Sequence, residues 1–221
     1  MTIYGYGEDF LTLWAVKHKM PDIIEEIEEE PYLNKPLVIY RPSFGRGGAL
    51  STFGEFDLIF ATKKIYLVES KWEQSSEVKG PQGNRNITIS DIQQTRHEIF
   101  KWYLIQSNEY LNHDFNAWDI FRDNFNEEFG ENFQYEDTNG NIRRPVIPKK
   151  NSILANNIYN VSNLLSEQTG RPITAKMIED ILLYFYSDEI NIIAEYENLD
   201  FQMVQLQFQP IENGYLINIQ I

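Results

Sequence analysis

Two carboxylates and one amine stand out by their spacing. Asp57 lies in Gly-Glu-Phe-Asp-Leu-Ile (54–59), and Glu69 and Lys71 lie in Val-Glu-Ser-Lys (68–71), each within a run that is otherwise apolar. Phe56 to Ala61 and Ile65 to Ser70 read as two short strands joined by a tight turn at Thr62-Lys63-Lys64. Side chains alternate faces along a strand, so Glu69 and Lys71 project to one side and Ser70 points away. Folded as a hairpin about that turn, the strands bring Asp57 nearly opposite Glu69, with Leu58 and Val68 turned into packing. Two carboxylates that close repel unless a cation lies between them, and a hard divalent ion such as Mg²⁺ takes oxygen ligands. The Lys71 ammonium would then stand beside the ion, able to orient or deprotonate a water or to stabilise developing negative charge. The plainer alternative is a surface hairpin on which Glu69 and Lys71 form a weak ion pair.

Gly-Glu-Phe-Asp-Leu-Ile followed by Val-Glu-Ser-Lys resembles the signature of the PD-(D/E)xK nuclease superfamily, the restriction-endonuclease-like fold. The resemblance implies that Asp57 and Glu69 bind a metal, Mg²⁺ or Mn²⁺, and that Lys71 is catalytic. It implies hydrolysis of phosphodiester bonds, with DNA as the expected substrate, and restriction-type members often act as homodimers. Glu55 matches an acidic position common just before the Asp and shares its face, while Phe56 stands where the family name has proline. The Ser70 carbonyl is a further ligand on this reading. The family opens with a helix whose Glu faces the metal, a role that falls to Glu8, or else Glu8 only complements a helix dipole. A polar residue, often Gln, is expected on the helix after the motif, here Gln93 or Gln94. A fold retained without catalysis would instead be a binding or interaction module.

These residues need elements to hold them. Glu8 to Lys19 reads as a helix, with Gly7 stopping it on the N-terminal side, and Pro21 ends it. Glu25 to Glu30 reads as a solvated helical face, and Pro36 to Arg41 as a strand. From Pro42 to Gly54 the chain is glycine-rich; with Arg41 and Arg46 it is either a phosphate-contacting loop or a plain connection. Trp72 to Ile87 reads as an exposed loop. Ser90 or Asp91 caps a helix running to Ile105, on which Gln93 and Gln94 lie one turn before His97. A lone histidine there reads more readily as packing or surface than as catalytic.

Further helices are expected at Asn116 to Phe129, Ile153 to Gln168 and Thr174 to Tyr186, the last from the spacing of Met177, Ile178, Ile181, Leu182 and Phe185. Arg143, Arg144, Lys149 and Lys150 form a small basic cluster. Strands are expected at Ile190 to Tyr196, Phe201 to Gln209 and Tyr215 to Ile221, the last two as a hairpin through Glu212-Asn213-Gly214. The expected fold class is therefore α/β (α+β): a restriction-endonuclease-like core with a central mixed sheet flanked by helices. It would form a single domain, with the motifs in 1–107, a mainly helical insertion in 108–188, and strands of 189–221 completing or extending the sheet.

Composition bounds the alternatives. The 221 residues contain no cysteine, which excludes a disulfide framework, a zinc–thiolate cluster and a cysteine nucleophile. His18, His97 and His113 are scattered, and no phosphate-binding glycine loop, dinucleotide fingerprint or Gly-x-Ser-x-Gly elbow occurs. No apolar run approaches a membrane span, and a cytoplasmic protein is the expectation. A formal charge of −14 speaks against a general nucleic-acid binder, because phosphate affinity comes from Lys and Arg. The acidic excess is concentrated at Asp22 to Glu30 and Asp119 to Glu136, which leaves a nuclease admissible.

Overall fold

Thr62-Lys63-Lys64 turns the chain as its polarity predicts. Ala61 faces Ile65 across the turn, and the segments on either side pair antiparallel. The structure, a computed structural model, describes residues 1–28, 34–44, 55–107, 114–129, 135–136, 142–143, 148–194, 196, 200–211 and 214–220. In chain order its elements are β1 (Thr2–Gly5), α1 (Glu8–His18), α2 (Met20–Ile27), β2 (Leu37–Tyr40), β3 (Leu58–Ala61), β4 (Ile65–Trp72), β5 (Val78–Lys79) and β6 (Asn86–Ile87). They continue with α3 (Asp91–Gln106), α4 (Trp118–Phe129), β7 (Tyr135–Glu136), β8 (Ile142–Arg143), α5 (Ile153–Thr169), β9 (Ile178–Tyr186), β10 (Phe201–Gln207) and β11 (Ile217–Gln220).

Five strands form a mixed sheet in the order β10-β9-β4-β3-β2. β2, β3 and β4 pair antiparallel, while β4 with β9 and β9 with β10 pair parallel. The molecule is thus a mixed α/β protein whose sheet is flanked by helices. Alternation along β4 divides the core. Ile65 and Leu67 pack with Ile99, Tyr103, Phe121 and Ile158 beneath α3, α4 and α5. Tyr66 and Val68 pack on the other face with Leu11, Ala15, Ile23 and Ile27 from α1 and α2. At roughly 1.5–3 kcal/mol for each large apolar side chain fully buried, these two layers dominate what holds the sheet together.

Three expectations are corrected. Thr174 to Tyr186 is not a helix: a single 3₁₀ turn at Ala175–Met177 leads into β9. Ile181 to Phe185 is buried on both faces of the sheet, so the run is apolar throughout and shows no strand-like alternation. β9 lies within the segment expected to be a helical insertion, and it is the parallel neighbour of β4. Ile190 to Tyr196 is not a strand among its described residues; Glu189–Asn191 is a 3₁₀ turn. β10 and β11 do not form a hairpin either, since β11 pairs antiparallel with β1 in a separate two-stranded sheet.

Other elements lie where expected. Pro21 begins α2 rather than only ending α1, because proline fits the first turn, whose N–H groups have no partner. Ser90 caps α3, and α5 ends on Gly170 at φ 66°, a left-handed turn that favours glycine. The loop expected after Trp72 contains the short β5–β6 ladder. No helix among the described residues is long and apolar enough to cross a membrane.

Candidate active site

Leu58 pairs with Val68, so one step further out Asp57 stands opposite Glu69. Asp57 follows a bend just before β3, and its Oδ2 accepts a 2.8 Å hydrogen bond from the Ser70 amide. Glu69 and Lys71 lie near the C-terminal end of β4, on the face covered by α3. Glu69 is 3 % exposed and Lys71 4 %, which overturns the surface-hairpin alternative. The Ser70 side chain points the other way, as alternation requires, and its Oγ accepts a 2.8 Å bond from Thr12 Oγ1 on α1.

Gly7 brings Glu8 to the same place. Its φ of 84° is costly for any residue with a Cβ, and it turns the chain from β1 into α1. Glu8 then opens α1 with Oε1 3.5 Å from Lys71 Nζ and Oε2 accepting a 2.8 Å bond from Ser75 Oγ. Gln93 does two jobs. Its Oε1 accepts from the Ser90 amide at 3.0 Å, completing a capping box, while its Nε2 donates to Glu69 Oε2 at 3.1 Å. Gln94 instead donates to the Ile89 carbonyl and takes no part at Glu69.

Two residues expected at the site are engaged elsewhere. Glu55 Oε2 lies 2.7 Å from Arg41 Nη2, and Arg41 also pairs with Asp9. Glu55 is therefore held by a guanidinium, and Arg41 reaches a phosphate only by giving up those partners. Arg46 lies outside the described residues, as do Arg144 of the basic cluster and His113.

Two contributors, Arg96 and Asp180, escaped the sequence reading, and a third, His97, reads in the sequence more readily as packing or surface. Arg96 on α3 lies 3.5 Å from Glu69 Oε1 and donates to the Glu55 carbonyl. His97, 1 % exposed, places Nε2 3.3 Å from Glu69 Oε1 and Nδ1 2.8 Å from Asp180 Oδ1. Asp180 sits on β9, where it also pairs with Lys101. His97 was visible as one helical turn beyond Gln93, but Asp180 gave no signal while its segment read as helical.

Charge is tightly balanced here. Burial and the neighbouring charge of Glu69 push Asp57 up to about 7. Burial also works against a charge on Glu69, but hydrogen bonding from His97 and the charges of Arg96, His97 and Lys71 outweigh it and hold the carboxyl below its ordinary range. Of this coupled pair, Glu69 ionises first and Asp57 resists the second charge. Burial would lower the Lys71 pKa, yet Glu8, Glu69 and Asp57 together raise it. For His97, burial opposes the charge and the two carboxylates win, so its pKa is raised. Burial raises Glu8.

Among the described residues no group of three or more His, Asp or Glu side chains is gathered to hold a metal ion. The donor chemistry that remains is an opposed carboxylate pair, Asp57 and Glu69, with the carbonyl of Ser70 next to Glu69 in the chain. A pair that resists double ionisation is relieved by a hard cation taking oxygen ligands, so these residues fit a divalent ion held partly by water. No family model matches the chain, and no match is found among curated proteins or solved structures.

Proposed function

We propose that the protein is a metal-dependent nuclease that hydrolyses phosphodiester bonds in DNA. The observation that carries this reading is the opposition of Asp57 and Glu69 across the β3–β4 hairpin, with the buried Lys71 amine two residues further along. A mixed sheet flanked by helices, bearing that hairpin among its strands, supports a restriction-endonuclease-like fold.

Asp57 and Glu69, with the Ser70 carbonyl, would hold Mg²⁺ or Mn²⁺. When bound, such an ion supplies Lewis acidity and lowers the pKa of a coordinated water. The chain's own residues do the rest. Lys71 remains an ammonium because three carboxylates raise its pKa, so it acts by charge on the phosphate rather than as a base. Glu8 holds that ammonium from the first turn of α1, and Gln93 holds one oxygen of Glu69.

A second reading, a nuclease-like fold kept as a binding module, draws on the net charge of −14 and on the internal partners already taken by Glu8, Glu69 and Lys71. Plasmid and single-stranded DNA incubated with the protein in Mg²⁺ or Mn²⁺, beside Glu69→Ala and Lys71→Ala, separates the two. Cleavage by the parent that both substitutions abolish is the expected result. Metal binding without cleavage favours the binding module, and cleavage that survives both substitutions overturns the site.

A further inference from the structure

His97 belongs neither to the cap of α3 nor to the apolar layers, yet it is one of the most deeply buried polar side chains in the protein. Both ring nitrogens meet carboxylates, Nδ1 at Asp180 and Nε2 at Glu69. The rings of Phe56 and Phe201 lie against it, with centroids at 5.0 and 4.8 Å, so the imidazole is wedged as well as bonded. Asp180 is in turn pinned by Lys101. The chain of contacts therefore runs from β9 through α3 to β4 and ends on a single oxygen of Glu69.

That oxygen matters because a glutamate carboxylate hangs on rotatable bonds and presents a cation with a defined lone pair only when something fixes it. Gln93 holds Oε2, and Arg96 approaches Oε1 only at 3.5 Å from a long, partly exposed side chain, which leaves the carboxylate able to pivot. A second bond, from a ring that cannot turn, removes the pivot. We infer that His97, anchored by Asp180, is a positioning residue that fixes the Glu69 carboxylate in the orientation that presents it, with Asp57, to a divalent cation. The inference rests on the metal-binding reading of the Asp57–Glu69 pair.

Two substitutions test it, because the Gln amide falls near the imidazole Nε2 position and the Asn amide near Nδ1. His97→Gln keeps a donor toward Glu69 and loses the one toward Asp180, and His97→Asn does the reverse. Mn²⁺ affinity is measured by calorimetry, with thermal unfolding of each variant alongside to register packing loss. The expected result is that His97→Gln retains most of the parental affinity, while His97→Asn weakens it about tenfold to a hundredfold, the usual loss when a ligand's hydrogen-bond partner is removed. DNA cleavage should follow the same order. Equal affinities in the two variants, whether both parental or both reduced in step with their unfolding temperatures, would make His97 a packing residue and overturn the inference. A parent protein that binds no Mn²⁺ would overturn the metal-binding reading, and this inference with it; that failure appears in the parent rather than in the contrast between variants.

Discussion

Lys71 Nζ lies 3.5 Å from Oε1 of Glu8, so the first residue of α1 holds the ammonium that β4 carries into the site. The contact is asymmetric. Removing the lysine leaves Glu8, Asp57 and Glu69 around one buried position with no ammonium, whereas removing Glu8 leaves the lysine with two carboxylates. Lys71→Met is therefore expected to cost about 3 kcal/mol and Glu8→Gln no more than about 1 kcal/mol. Urea unfolding of the two variants checks the order; a Glu8→Gln loss as large as that of Lys71→Met would show that the amine depends on Glu8 alone.

Asp57 predicts a pH dependence. Its ordinary pKa is 3.8, and in the folded protein it is pushed up to about 7, so between those values the native state holds a proton that the unfolded chain has released. The stabilisation is present in full below pH 3.8 and is lost as pH rises through about 7. In EDTA the protein should lose about 4 kcal/mol of Asp57-dependent stability across that window. Asp57→Asn should flatten the slope, and Mn²⁺ added at neutral pH should restore stability to the parent but not to the variant. Denaturant unfolding at several pH values measures both effects.

Gln93 offers a test of its two roles. Glu is as good as Gln at this position of a capping box, so on helix grounds Gln93→Glu should be neutral. Here it sets a carboxylate against Glu69 in a buried site, and a loss of about 2 kcal/mol is expected at neutral pH, shrinking under acid. A neutral substitution would mean that the bond to Glu69 contributes nothing.

Gly7→Ala probes the joint between β1 and α1. Among the described residues, none beyond its two chain neighbours comes within 4 Å of where the added Cβ would sit, so the cost comes from the φ of 84° and not from a clash. Thermal unfolding should register a loss of about 1–2 kcal/mol. Because the strain falls on the residue before Glu8, DNA cleavage should fall by more than stability alone accounts for.

The site was legible where its geometry is local. Asp57, Glu69 and Lys71 are placed by a three-residue turn and by strand alternation, both of which follow from residue type, and Gln93 and Ser90 are placed by helix capping. β9 was not legible, because a strand buried on both faces needs apolar residues at every position and so loses the alternation that marks a strand. Met177, Ile178, Ile181, Leu182 and Phe185 then fit a helical spacing by default. With β9 misread, Asp180 had no face and His97 had no partner. The β1–β11 pairing joins Thr2–Gly5 to Ile217–Gln220, segments far apart in sequence, and no local pattern reports such a contact.

The placement of β9 has a consequence for synthesis. Every motif residue has been made by the time a ribosome passes Gln106, yet β4 gains its parallel neighbour only after Tyr186. Until then β4 has one bare edge, Glu69 lacks the partner chain that ends at Asp180, and the half-made sheet cannot close over the carboxylates. A nascent chain would display the motif without the site. The long route from β4 to β9 thus acts as a delay that keeps the opposed carboxylates and their partners unassembled until the sheet is almost complete.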